Sequence, residues 1–132
     1  MRVRRLVIGT VLGLSGLAVP LGAHHSMGTY DQSVLVTIRG TVTTLEWRNP
    51  HTWVVLTVLT PDGKTASQRV EIAGPSRLQR TGFDRSLLAI GDTITIQAWL
   101  LKPQYGGDAP NGRTLTLSDG RRFDVGDNWP EK

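Results

Sequence analysis

The segment GTVTTLEWRNPHTWVVLTV, residues 40–58, contains the two strands and the turn that decide the fold. Two β-rich runs flank Asn49-Pro50. Proline breaks a strand because it fixes its own φ and pushes the preceding residue away from helical backbone. His51 follows at the start of the second run, and Trp47 and Trp53 lie close by in the sequence. The segment therefore predicts a hairpin that carries an imidazole, an amide and two indoles at one end.

Residues 1–23 have the pattern of a secretory signal peptide. Three arginines precede an uncharged apolar run, which ends in small residues at Gly22-Ala23. This order is typical of a cleaved export signal, and an uncleaved membrane anchor is the alternative. We therefore expect cleavage after Ala23, a single domain over 24–132, a periplasmic or secreted location, and no stable membrane insertion.

The charge balance of the predicted domain argues against nucleic acid as a partner. The chain has 15 basic and 11 acidic residues, and three of the basic residues lie within 1–23. A nearly neutral domain exerts no general attraction on a phosphate backbone. The chain also has no cysteine, so a disulfide is excluded and a metal site has to use nitrogen, oxygen or thioether donors.

Alternation of apolar and polar residues predicts five strands and a short helical connection between the third and the fourth. We expect a helix over 77–80 that Ser76 begins, and another helical turn over 85–89. In the third strand, Arg69 and Glu71 are expected to face the solvent because they alternate with Val70 and Ile72. The predicted strands cover residues 34–47, 52–60, 67–72, 93–100 and 113–118, and residues 121–125 are expected to pair back briefly.

The first strand carries a sign of curvature. Its apolar phase runs through Val42 and then slips, next to Gly40, before Leu45 and Trp47 continue it. A slip of this kind predicts a bulge or a sharp bend, which a small closed barrel requires. Three strands, a helical segment and two strands is the order of a five-stranded OB-like barrel. The expected class is all-β, with a small sandwich as the alternative.

Four stretches of the chain resemble a bacterial family of exported domains, DUF6152. The resemblance is carried by the start at Ala23-His24-His25-Ser26, by Glu-Trp-Arg-Asn-Pro-His-Thr-Trp over 46–53, and by two later stretches over 76–82 and 91–96. It implies a secreted small β-domain. It implies no established activity, so no catalytic residue is transferred from the family.

The chain contains three histidines, His24, His25 and His51, and we expect them to form a metal site. Cleavage after Ala23 would make His24 the N-terminal residue, whose amine and imidazole can chelate one ion together. His51 would supply the remote nitrogen, and His25 could replace or supplement it. Nitrogen donors in this arrangement suit Cu(II), so copper is the expected cofactor. Asp31 or Glu71 could add an oxygen.

A binding module without a metal is the alternative, and an enzyme is less expected. Trp47, Asn49 and Trp53 would bind a small molecule or a protein at the tryptophan-lined end of the barrel. No nucleophile motif of a hydrolase and no zinc-protease motif is present. The aspartates near the C-terminus lie in a turn and a polar tail, and we interpret them as a solvated face: Asp119, Asp124 and Asp127.

Overall fold

A computed structural model describes residues 27–107 and 109–127. The predicted signal peptide, His24 and His25 lie outside the described residues. Over these two ranges the chain forms six strands, one helix, α1, and three short 3-10 segments. In the described residues, no helix has the length and apolar character needed to cross a bilayer. The elements are a 3-10 turn at Met27–Thr29, β1 Tyr30–Glu46, β2 Thr52–Leu59, β3 Thr65–Ile72, α1 Pro75–Arg80, a 3-10 turn at Arg85–Leu87, β4 Thr93–Leu101, a 3-10 turn at Pro103–Tyr105, β5 Asn111–Thr116 and β6 Arg122–Asp124.

The long strand β1 is shared between two neighbours. Its first part pairs with β4, from Tyr30 to Thr41, and its second part pairs with β2, from Gly40 to Glu46. The β1–β2 register shifts between Val42 and Thr44, so the predicted bulge is confirmed. Because a bulge bends a strand and increases its twist, β1 can follow β4 along one half and β2 along the other.

The six strands form one sheet in the order β3-β2-β1-β4-β5-β6. The predicted all-β class is confirmed, and β6 is the brief pairing that was expected over 121–125, here with β5. Every pairing is antiparallel except a short parallel contact between β3 and β5, where Glu71 pairs with Asn111. This contact brings the end of β3 next to the start of β5.

The core lies on the inner face of the sheet, under α1 and the segment that follows it. α1 begins at Pro75 with Gly74 as its N-cap, not at the predicted Ser76. Proline suits this first position because its missing N–H would have no partner inside the helix. Burying each large aliphatic side chain stabilises the fold by about 1.5–3 kcal/mol. The fully buried apolar side chains include Val54, Leu56, Val70, Ile72, Leu78, Phe83, Ile96, Leu115 and Val125.

Candidate metal centre

His51 is placed by a tight junction between two loops. It precedes β2, and the peptide N–H of the next residue, Thr52, donates to the carbonyl of Ala73. A Cβ on Gly74 would overlap the carbonyl oxygen of Pro50, well inside the van der Waals contact distance. The backbone at Gly74 is extended, with φ −68° and ψ 159°, so the close approach alone requires glycine. The loop before β2 therefore packs directly on the loop after β3.

Glu71 is buried, although its alternation with Val70 predicted exposure to solvent. Its side chain faces away from the core, but only 3% of the residue is accessible. Its N–H donates to the carbonyl of Pro110 at 3.0 Å, and Asn111 is its parallel partner on β5. The predicted exposure was wrong because alternation shows which face a residue occupies and does not show that another segment covers that face.

Asp127 reaches the same place from the segment that follows β6. Two hydrogen bonds dock this segment: Ala73 N–H donates to the Val125 carbonyl at 2.8 Å, and Val125 N–H donates to the Arg113 carbonyl at 3.0 Å. The Arg113 side chain then lies 3.4 Å from the carbonyl oxygen of Asp127. The interpretation of Asp127 as part of a solvated face was therefore wrong.

The three side chains direct donor atoms into one small space. Nδ1 of His51 lies 3.2 Å from Oε1 of Glu71 and 3.4 Å from Oδ2 of Asp127. One donor atom of each residue lies within 4.8 Å of the other two. Metal–ligand bonds of about 2.1 Å place neighbouring ligand atoms roughly 3.0–3.4 Å apart in octahedral or tetrahedral geometry. The two distances from His51 match that spacing.

The nitrogen of His51 is close to both carboxylates without being hydrogen-bonded to either. Nδ1 is buried, and no hydrogen-bond partner among the described residues meets the angular requirement. Ring N–H bonds weaken steeply when the donor is misaligned. When Nδ1 carries no proton, three electron-rich atoms face one space and repel one another unless a cation lies between them. The arrangement is therefore suited to hold a positive ion.

A second layer of polar groups orients Glu71. The buried hydroxyl of Tyr30 donates to Glu71, and the Asn111 amide bonds to the same phenol oxygen. Burial, with the negative charges of Glu71 and Asp127, raises the pKa of Tyr30 to about 12. Outer residues of this kind fix the orientation of metal-binding carboxylates.

The other predicted site residues lie in different surroundings. Asp31 accepts hydrogen bonds from Ser33, which lower the pKa of its carboxyl, and it is not among the grouped donors. Trp47 packs on Phe83 with 6.2 Å between ring centroids, at the edge of the core.

Trp53 and Asn49, the remaining members of the predicted non-metal site, lie close to the centre in the sequence. The guanidinium of Arg69 covers the ring of Trp53, with Cζ 3.8 Å from its centroid. Asn49 is exposed in the loop that carries His51, and it joins Pro50 through a cis peptide bond.

Sequence reasoning identified His51, considered Glu71 as an oxygen donor and missed Asp127. The signal that could have located Asp127 is the pair Val125-Gly126. Val125 is fully buried, and a Cβ on Gly126 would overlap the guanidinium of Arg113. An apolar residue and a glycine after a short strand indicate a docked segment instead of a free tail.

A comparison with protein-family models agrees with the resemblance. The model of DUF6152, a family of unknown function, matches residues 12–109. His51 and Glu71 lie inside the matched range, and Asp127 lies beyond it. No curated protein and no solved structure matches the chain. The match covers well over half of the sequence, and the protein therefore belongs to the DUF6152 family.

Proposed function

We propose that this protein binds a divalent transition-metal ion through His51, Glu71 and Asp127. The observation that carries the proposal is the convergence of Nδ1 and two carboxylate oxygens within 4.8 Å, with Nδ1 buried and not hydrogen-bonded. One imidazole and two carboxylates suit copper, zinc, iron or manganese. Because divalent affinities at such sites rise toward copper, Cu(II) is expected to bind most tightly.

The terminal histidines extend the same proposal. Tyr30 donates a hydrogen bond to Glu71, and His24 and His25 precede Tyr30 by six and five residues. Six residues span up to about 20 Å when extended. The N-terminal amine and imidazole of His24, after cleavage at Ala23, therefore have the reach to add nitrogen donors. More nitrogen donors would strengthen the preference for copper.

The proposed role is non-catalytic binding in the periplasm or outside the cell. The parallel contact between β3 and β5 supports an OB-like closure of the sheet. The candidate centre includes His51 from the loop after the first strand, and Glu71 donates to Pro110 at the end of the loop after the fourth strand. Proteins of that architecture bind ligands in these two loops. The tryptophan-lined small-molecule or protein site stays a prediction.

Calorimetric titration of the protein with Cu(II) and Zn(II) tests the proposal. Bound metal is first removed with a chelator, and the N-terminal residue is established by intact mass. One ion should bind per chain. His51→Ala and Asp127→Asn should each weaken binding by about 100-fold or more, since even outer residues contribute 10- to 100-fold. Asp31→Asn is the matched control, because it removes a carboxylate outside the centre. Binding that is equal in the wild type and in both ligand variants would refute the site.

The role of His24 has its own test. A variant that combines His24→Ala with His25→Ala loses the terminal chelate of amine and imidazole but keeps His51, Glu71 and Asp127. If the amine takes part, Cu(II) affinity should fall in this variant while Zn(II) affinity changes little. Equal Cu(II) affinity would limit the centre to the three described side chains.

A further inference from the structure

One row of cross-strand partners passes through the candidate centre. Residues paired across neighbouring strands point to the same face of a sheet. Glu71 lies in the middle of the row, and a tryptophan lies on each side of it. From one end to the other the row is Glu46, Trp53, Glu71, Asn111, Trp99 and Leu35.

Both tryptophans of the row are covered by an arginine. Cζ of Arg69 lies 3.8 Å from the ring centroid of Trp53, and Cζ of Arg113 lies 4.3 Å from that of Trp99. Stacking on an indole holds the planar guanidinium at a fixed angle. Two oriented cations therefore flank the centre.

The two arginines differ in their charge partners. Arg69 forms an ion pair with Glu46 at 3.3 Å. Within residues 27–107 and 109–127, Arg113 has no carboxylate at salt-bridge distance. Its Nη1 has two long contacts, each 3.4 Å, with the Asn111 amide oxygen and the Asp127 carbonyl oxygen. Arg113 is thus a partly buried cation without a direct salt bridge, on which Asp124 and Asp127 act only at longer range.

A bound metal would leave Arg113 with still less negative charge around it. The carboxylates of Glu71 and Asp127 together balance a divalent ion, and Asp124, the other carboxylate that acts on Arg113, is already paired with Arg77 at 3.2 Å. The charge of Arg113 would then have no carboxylate of its own. The three described ligands leave at least one coordination position open, and a six-coordinate ion would keep one even with the amine and imidazole of His24. A planar guanidinium binds two oxygens of a carboxylate or phosphate at once. The open position and Arg113 thus require the same kind of ligand.

We infer that the metal-loaded centre binds an oxyanion, a carboxylate or phosphate group, between the ion and the guanidinium of Arg113. The inference rests on the proposed metal site and specifies the class of ligand that this site takes. The step is a ligand exchange: the bond from the ion to water would be replaced by a bond to the oxyanion, the water leaves, and no covalent bond within the protein or the anion changes.

Visible absorption of the Co(II)-loaded protein provides the test, since the spectrum of this ion changes with its ligands. Acetate and inorganic phosphate are titrated separately as the two kinds of oxyanion. A saturable spectral change with either one is expected for the wild type. Arg113→Gln should weaken anion binding by about 10- to 100-fold, the usual effect of losing a charged hydrogen bond. Arg69→Gln, whose arginine is already paired with Glu46, should change it by less than about threefold.

The outcomes separate the two proposals. If Co(II) does not bind, both the metal site and the oxyanion inference are wrong. If Co(II) binds but neither anion changes its spectrum in the wild type, the oxyanion inference alone is wrong. Equal anion affinity in Arg113→Gln and the wild type also overturns it. Arg113→Lys keeps the charge but lacks the planar guanidinium. Its affinity for the anion should lie between those of the wild type and Arg113→Gln. It replaces Arg113→Gln as the test if that variant folds poorly.

Discussion

Gly74 lies directly against the carbonyl oxygen of Pro50. This contact fixes the loop that ends in His51 against the loop that follows Glu71. Since Gly74 has an ordinary extended backbone, the only obstacle to a side chain at this position is the neighbouring loop.

Gly74→Ala should therefore disturb the metal centre as well as the fold. Inserting a methyl group into a close-packed contact costs about 1–3 kcal/mol, and relief requires the loops to separate. We expect a lower free energy of unfolding by that amount, measured by urea denaturation, and weaker binding of Cu(II) by calorimetry. Ser76→Ala, at an exposed position of α1, is the control. Unchanged stability and affinity in Gly74→Ala would show that the two loops are free to move apart.

Tyr30→Phe should weaken metal binding without removing a ligand. The substitution deletes the hydroxyl that donates to Glu71 and keeps the ring. Loss of an outer hydrogen bond of this kind typically lowers affinity by about 10- to 100-fold. Calorimetry should show a stoichiometry that is still one ion per chain. If the affinity of Tyr30→Phe equals that of the wild type, Glu71 is oriented by its backbone alone.

Ionisation of Tyr30 should also lower the stability of the metal-free protein in alkaline solution. Its pKa is about 12 in the folded chain and 10.0 in its ordinary state. Between these values the unfolded state has lost the proton and the folded state keeps it, so stability falls as the pH rises from 10 to 12. The two-unit difference corresponds to about 3 kcal/mol.

The alkaline effect is measured as urea denaturation at a series of pH values in the presence of a chelator. Tyr30→Phe should lose less stability than the wild type over this interval, because it has no phenol to ionise. Parallel curves for the two proteins would mean that the alkaline loss arises elsewhere.

Metal binding should raise the melting temperature in a manner that depends on all three ligands. An ion that binds only the folded state at 100 times its dissociation constant adds about 2.7 kcal/mol of stability. We expect Cu(II) or Zn(II) to raise the melting temperature of the wild type, and a chelator to reverse the rise. Asp127→Asn should show little of it, whereas Asp31→Asn should respond like the wild type. A rise of the same size in Asp127→Asn would place the ion elsewhere.

Local sequence patterns predicted most of the strands, since these depend on the alternation of neighbouring residues. The bulge in β1 was visible as a slip of the apolar phase after Val42. Proline at the turn and the histidine after it also identified one end of the site. The start of α1 was misplaced by two residues, because Ser76 resembles a cap while Pro75 already fits the first helical position.

The rest of the site depends on which distant segments come to cover Glu71. Alternation along β3 assigned Glu71 to the outer face, and nothing near it in the sequence indicates that Asn111 pairs beside it. Asp127 follows a three-residue strand and carries no pattern of its own. Its position arises from the docking of Val125 against Ala73 and from the packing of Gly126 on Arg113, which are contacts between distant parts of the chain.

The hydrogen bond from Ala73 to Val125 has a consequence for the kinetics of folding. His51 and Glu71 are brought together by the β2–β3 hairpin, which is a local and fast event. Asp127 joins them only after the segment behind β6 docks on the end of β3, and such long-range contacts close slowly. During refolding, tight metal uptake should therefore lag behind the formation of the sheet, and its rate would measure the final docking step.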